Sequence, residues 1–338
     1  MSFSLYGESY RVLQKLGEGR YGEVSKAQSD ARAVAVKRSP LHTEDLRTVY
    51  EREKRLLERT VNAPRVCHLI GEFEKQKFGH LVLELATASV VDALPLLDRT
   101  NTGAHMIAAL AALHACGITH RDLRLENFLL FGHVVKISDL GLASDNHMMN
   151  TLEVQTWWYR APEIFLGQQP YTASVDLWAM GMLIMHLWCG RAPYEDNEFT
   201  MLPRMFRDRG VPAPTCAHEL YRYGPSCCAA HPPLRRWHDC LAQLNPMYRM
   251  PIATLAQGSD IIQFSNCSAL LGFEQEVLAS GLKGTLVVSE APPQKPSGTT
   301  GSRSGERGKK RGAKRHKVVA VDAHSRRSWV GTQATSVT

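Results

Sequence analysis

The sequence predicts an α+β fold that ends in a basic, low-complexity tail, and three observations carry that expectation. Two strand-like runs, residues 10–16 and 23–27, flank the glycine-rich stretch Gly17-Glu18-Gly19-Arg20-Tyr21-Gly22. A charged, helix-prone stretch covers 44–59, and the apolar run 177–185 reads as a buried helix. Residues 294–317 hold nine Lys/Arg against one acid, Glu306, among Gly, Ser and Thr. Such a segment has too little apolar surface to offset the entropy of ordering it, so the tail is expected to be disordered.

The two N-terminal runs read as a hairpin whose glycine tip lets backbone amides approach phosphates. A dinucleotide-binding fingerprint would need a helix directly after it. Glycines also mark ordinary turns, so the motif decides nothing alone. Val34-Ala35-Val36-Lys37 reads as a third strand carrying a lysine, which by default would be a surface residue. Glu53 follows Lys37 by sixteen residues, and Leu57, one turn later, would face the same core. Glu51 and Glu58 compete with it, and a solvated acid on a charged helix is the alternative for all three. Residues 81–85 read as a buried strand.

His120-Arg121-Asp122-Leu123-Arg124-Leu125-Glu126-Asn127 precedes Asp139-Leu140-Gly141 by twelve residues. This spacing puts two carboxylates and an amide where phosphoryl transfer needs them. Asp122 can accept or orient a hydroxyl proton, and Asn127 and Asp139 can hold magnesium, a hard cation that prefers oxygen. Thr156-Trp157-Trp158-Tyr159-Arg160-Ala161-Pro162-Glu163, Asp176-Leu177-Trp178-Ala179-Met180-Gly181 and Arg249 follow in order.

Seven motifs in this order resemble the eukaryotic protein kinases over residues 10–260. The resemblance implies a two-lobed protein kinase fold: a small antiparallel β lobe with its C-helix (10–86) and a large, mainly helical lobe (87–260). Residues 1–9 and 261–293 would be extensions, and 294–338 the basic tail. ATP would lie in the cleft, against Leu16, the glycine stretch 17–22, Val24, Ala35 and Leu129. Leu83 would be the gatekeeper, with Glu84, Leu85 and Ala86 as the hinge. Lys37 would contact the α- and β-phosphates and be held by Glu53. Asn127 and Asp139 would hold Mg²⁺, Glu163 would pair with Arg249, and Asp176 would brace the catalytic loop. His120, Leu140 and Leu57 would stack beneath the C-helix, Leu140 replacing the usual phenylalanine.

The type of kinase follows from finer matches. Arg124 stands where serine/threonine kinases usually carry lysine, and some tyrosine kinases carry arginine there. Thr156 matches the serine/threonine-type threonine that would bridge Asp122 and the residue at 124. Trp158-Tyr159-Arg160-Ala161-Pro162-Glu163 is similar to the CMGC group, the cyclin-dependent and MAP kinases. That likeness implies a preference for proline after the target Ser/Thr, whereas Glu126 matches kinases that favour basic residues before it, unless it is a surface acid. Tyr21 matches an inhibitory phosphotyrosine. Residues 48–57 partly match a cyclin-binding helix, with Glu51 in place of an apolar contact. Thr151 matches an activating phosphothreonine that Arg121 would read, with Glu153 as a fixed charge. A segment that needs no phosphate is the equal alternative.

The chain has 338 residues, 44% hydrophobic, enough for one two-lobed unit and an extension. No run reaches the roughly 18–20 apolar residues of a membrane span, and no signal-peptide pattern is read at the N-terminus. Eight scattered cysteines without a C-x-x-C point to reduced thiols in a nuclear or cytoplasmic protein. The net charge of +7 belongs to the tail: outside 294–317 there are 31 Lys/Arg and 32 Asp/Glu. Residues 309–317 resemble a nuclear-localisation or nucleic-acid patch, so an import receptor or nucleic acid joins protein substrates and a cyclin-like regulator among expected partners. A catalytically silent kinase fold and a nucleic-acid-binding protein are the rival classes.

Overall fold

A computed structural model of the chain describes residues 2–19, 22–152, 154–194, 198–212, 214–222, 232–258 and 261. Arg20, Tyr21, Glu153, Cys227, Cys228, nearly all of the 261–293 extension and the whole basic tail lie outside the described residues.

The N-terminal third builds a six-stranded antiparallel sheet. Its strands are β1 (Ser2–Leu5), β2 (Glu8–Gly19), β3 (Gly22–Gln28), β4 (Ala33–Pro40), β5 (Leu69–Lys75) and β6 (Phe78–Glu84), in the order β1-β2-β3-β4-β6-β5. β1 joins β2 through Tyr6 and Gly7, both at positive φ (49° and 82°), the backbone of a tight two-residue hairpin. The N-terminal extension thus adds an edge strand to the sheet. Phe3 and Leu5 point inward and Ser2 and Ser4 outward. Phe3 stacks on Tyr10 at 5.0 Å and on Phe73 at 4.8 Å.

The two-residue period of β4 sorts its side chains. Val34 and Val36 join Tyr10, Ala27 and Val82 in one small core. Ala35 and Lys37 therefore face the opposite side of the sheet. There α1 (Glu44–Arg59) packs, capped by the Thr43 hydroxyl, which accepts from the Leu46 amide, with Glu44 and Asp45 in its first turn. Its buried residues are Tyr50, Glu53, Leu56 and Leu57, whereas Glu51 and Glu58 are exposed.

After β6 the chain runs through β7 (Ala88–Ser89) and α2 (Val90–Ala93) into a helical lobe. α3 (Arg99–Ala115) leads to a loop and a small sheet, with β8 (Phe128–Phe131) between β7 and β9 (Val134–Ile137). Then come α4 (Pro162–Phe165), α5 (Ser174–Cys189), α6 (Glu198–Arg207), α7 (Pro233–Leu241) and α8 (Ile252–Ala256). α5 is apolar almost all round and packs on α7, and α3 packs on α8. Gly181 permits the α5–α7 contact, because a Cβ there would lie 3.0 Å from the Ala242 amide nitrogen. The expected small β lobe and large helical lobe are both present, and one continuous core runs from Leu56 and Leu81 to Ile107 and Trp178. Among the described residues no helix is long and apolar enough to cross a membrane.

The expected Glu163–Arg249 pair is buried, with side chains 1% and 0% exposed. Arg249 Nη2 donates to Glu163 Oε2 at 2.8 Å, Nε to the Gln243 carbonyl at 2.9 Å and Nη1 to the Ser174 carbonyl at 3.0 Å. Its guanidinium also lies 5.2 Å from the Trp178 ring centroid. The pair ties α4 to α5 and to the loop before α8. Removing one partner of a buried ion pair strands the other charge, so Glu163→Ala is expected to destabilise the fold by about 3–5 kcal/mol in urea unfolding.

Candidate active site

Lys37 reaches two carboxylates from β4. Its ammonium donates to Glu53 Oε1 at 2.6 Å and to Asp139 Oδ1 at 2.7 Å. Burial alone would depress the Lys37 pKa, but Asp139 and then Glu53 outweigh it and raise it, so the ammonium stays charged. Burial raises the Glu53 carboxyl, against the pull of Lys37. Burial would also raise Asp139, but Lys37 beside it holds that carboxyl below the usual range. β4, α1 and the loop after β9 therefore meet at one cation.

The stretch 120–127 is held from below by Asp176, at the start of α5. Its carboxylate accepts from the His120 amide at 2.7 Å, the Arg121 amide at 2.9 Å and His114 Nε2 at 2.9 Å. The two amide bonds fix the backbone entering Arg121, which sits at φ 65°, an uncommon conformation for a side chain of this size. His120 accepts from the Asp122 amide through Nδ1 at 3.2 Å, so Nε2 carries the proton and donates to the Ser138 carbonyl at 2.9 Å. His120, Leu140 and Leu57 are all buried, as expected of the stack under α1.

Asp122 is gripped on one oxygen. Oδ1 accepts from the Thr156 amide at 3.1 Å and the Thr156 hydroxyl at 2.9 Å. Asn127 donates its amide nitrogen to the Asp122 carbonyl at 2.9 Å, which leaves its oxygen as the atom for a cation. The oxygens of Asp139 and Asn127 suit a hard cation that keeps water and phosphate ligands. Arg124 Nε donates to Glu126 Oε2 at 3.1 Å, with both side chains 17% exposed. Glu126 is thus a partner of Arg124, a contact the sequence did not suggest.

The nucleotide-side residues separate into two groups. Leu16, Val24 and Ala35 form a small apolar cluster with Leu83 and Leu85. Leu129 is buried on β8. Gly17 and Glu18 pair with Val24 and Glu23, and Gly19 with Gly22, so the hairpin reading holds. Gly22 admits no side chain: a Cβ would lie 2.1 Å from the Arg38 carbonyl oxygen. Glu18 pairs with Lys15 at the surface. The Glu84 side chain receives Lys136 Nζ on both oxygens at 2.7 Å and the His68 amide at 2.8 Å, and its own amide donates to the His68 carbonyl at 3.2 Å, so its backbone carbonyl is the group left to serve a ligand. Ala86 sits between β6 and β7.

Around the segment between 139 and 163 stand Tyr171 and Gln155, which sequence reasoning passed over. Arg121 is buried and donates Nε to the Leu142 carbonyl at 2.7 Å and Nη1 to the Tyr171 hydroxyl at 3.3 Å. The Tyr171 hydroxyl in turn donates to the Thr151 carbonyl at 2.6 Å, while Met149 and Tyr171 exchange backbone bonds. Thr151 itself is exposed. Gln155 is left-handed at φ 66°, and its carbonyl accepts from Arg160 Nη2 at 3.1 Å. These contacts join residues 20 or more apart, or depend on a carbonyl's direction, and no local pattern announces them.

Residues 10–224 match the family described as protein kinase domain. The chain belongs to the protein kinase family. Over 219 residues this kinase is 31% identical to a probable cell division protein kinase of Encephalitozoon cuniculi, covering 61% of its own length and 70% of the relative's. The kinase is thus CMGC-like, and its family is one of phosphotransferases that use ATP and Mg²⁺.

Burial raises the Asp122 carboxyl, with Arg124 and the Thr156 hydroxyl opposing it. A hydrogen bond to the charged form lowers a pKa, so its loss must raise it. In a carbon-13 carboxyl titration, Asp122 is expected above the ordinary aspartate value of about 3.9, and Thr156→Val is expected to move it higher still.

Proposed function

We propose that this chain is a protein serine/threonine kinase, transferring the γ-phosphoryl group of ATP to Ser/Thr hydroxyls of proteins. The assembled Lys37–Glu53–Asp139 cluster, with Asp122 gripped by Thr156, carries the reading.

The apolar cluster around Leu16, Val24 and Ala35 covers one face of the adenine, and backbone groups of Glu84 and Ala86 meet its edge. Lys37, fixed by Glu53, sets the position of the α- and β-phosphates. Asp139 and the Asn127 oxygen would hold Mg²⁺, which neutralises phosphate charge when bound. Asp122 accepts a hydrogen bond from the substrate hydroxyl and aligns its oxygen with the γ-phosphorus. An oxygen–phosphorus bond forms, the bond to the ADP oxygen breaks, and the hydroxyl proton leaves by way of Asp122. Arg124, steered by Glu126, lies close enough to the loop to steady the moving charge. Positioning and electrostatics supply most of the rate.

Thr156, as the serine/threonine-type partner of Asp122, and the cell division relative support Ser/Thr over Tyr. Proline after the target residue is supported by Gln155. Its left-handed backbone directs the carbonyl at the Arg160 guanidinium, so in this reading the carbonyl is poorly aimed at a substrate N–H, and proline has no N–H to leave unpaired. Arg121 is occupied by a carbonyl and a tyrosine hydroxyl, which supports a segment that works without phosphate on Thr151. The basic tail remains a proposed address for an import receptor or nucleic acid, and a cyclin-like regulator on 48–57 is the alternative to a helix held within the chain.

Asp122→Asn is expected to lower kcat on a Ser/Thr peptide library by about 10²- to 10⁴-fold, read by radiolabelled phosphate transfer. Equal transfer by both proteins would reject the enzyme reading. On the same library, wild type is expected to favour Ser/Thr-Pro peptides and Arg160→Ala to relax that preference. Thr151→Ala is expected to keep wild-type kcat.

A further inference from the structure

α1 carries a second set of cations that the catalytic cluster does not use. Arg52, Arg55 and Arg59 recur at three- and four-residue spacing, so they share one side of the helix. All three reach the segment after the magnesium loop or its neighbour. Arg52 Nη2 donates to the Gly141 carbonyl at 2.7 Å. Arg55 grips Asp145 with both terminal nitrogens, at 2.6 and 3.2 Å. Arg59 Nη1 meets the same carboxylate at 2.6 Å, and its Nη2 donates to the Cys116 carbonyl at the end of α3 at 2.9 Å.

We infer that Asp145 is a positioning residue: by clamping Arg55 and Arg59 it holds α1 in the orientation that delivers Glu53 to Lys37, without a helix-binding partner. The inference rests on the kinase reading of the site. Its geometry is a closed circuit. α1 presents Glu53 to Lys37, Lys37 binds Asp139, and six residues later Asp145 returns to α1. Rotating or lifting the helix must break both ends together. A lone surface ion pair contributes little, because solvent screens it and two long side chains lose freedom. Here one carboxylate serves two guanidiniums, one of them bidentate, and is only 22% exposed. The two arginines hold the Asp145 carboxyl down at about 2, Arg55 contributing most, so the clamp is charged throughout the neutral range.

The test uses the purified full chain with no other protein present. Peptide-resolved hydrogen exchange over 44–59 and steady-state kinetics are measured for wild type, Asp145→Asn and Arg55→Gln/Arg59→Gln. The expected result is slow exchange in wild-type α1 and faster exchange in both variants. kcat is expected to drop by about three- to tenfold, the scale of exposed pairs acting together, with KM for ATP little changed. Raising salt from about 0.05 to 0.5 M is expected to lower wild-type kcat but not that of Asp145→Asn, since screening removes an attraction only where one exists. Unchanged α1 exchange in both variants would overturn the clamp, as would fast wild-type exchange that slows only when a partner protein is added. If wild type transfers no phosphate, the kinase reading fails, while the exchange data still decide whether Asp145 holds the helix.

Discussion

The Lys37 ammonium is the point through which three independent parts of the chain are related. It stands on a strand, its first carboxylate stands on a helix, and its second stands on the loop after β9 in the large lobe. Among the described residues no backbone hydrogen bond joins β4 to α1, and the loop bearing Asp139 is tied to them only next door, where Ile137 exchanges backbone bonds with Arg65 and Cys67 after α1. A buried cation cannot be left with one partner missing, since the desolvation it has already suffered would go uncompensated. The apolar face of α1, through Tyr50, Leu56 and Leu57, gives adhesion to the sheet, but hydrophobic contact is non-directional. The ion cluster supplies the direction, and the Asp145 clamp repeats that function on the solvent side.

Asp176 does comparable service below the cleft. A loop that must expose Asp122 and Asn127 on one side has to turn sharply, and Arg121 takes that turn at positive φ. Such a conformation persists only where the surroundings over-determine it. A fully buried carboxylate receiving two successive amides and a histidine meets that requirement. Burial would push this carboxyl up, but His114 and the loop amides reverse the direction, so the acceptor stays ionised. The chemistry-bearing side chains are therefore placed by groups that touch no substrate.

Much of this was legible in the sequence, and the reason is local. α1 carries its own cap and its own periodicity, so 44–59 could be read directly, and Leu57 at one turn from Glu53 separated that acid from Glu51 and Glu58. Lys37, Asp122, Asn127 and Asp139 each sit in a short string whose order is informative. Arg121 was expected to read a phosphate, whereas the Tyr171 hydroxyl it meets lies fifty residues on and has no motif. Arg55 and Asp145 are ninety residues apart, each one charge among many on exposed elements. β1 went unread, residues 1–9 being expected only as an extension, because four residues give too little alternation to register. Long-range polar pairs and short edge strands are what a linear reading cannot weigh.

The Tyr6–Gly7 turn between β1 and β2 has a consequence for how the small lobe is assembled. Leu5 and Glu8 face each other across two residues, as Gly19 and Gly22 do between β2 and β3 and Lys75 and Phe78 between β5 and β6, so this pairing closes a loop as short as any in the sheet. Its entropic cost of closure is small and it can form early, before the distant pairing of β4 with β6 is possible. Once formed, it places Phe3 beside Tyr10 and offers an apolar surface on which Phe73 can later settle. The strand least visible in the sequence is thus suited to be a starting template for the sheet that holds Lys37.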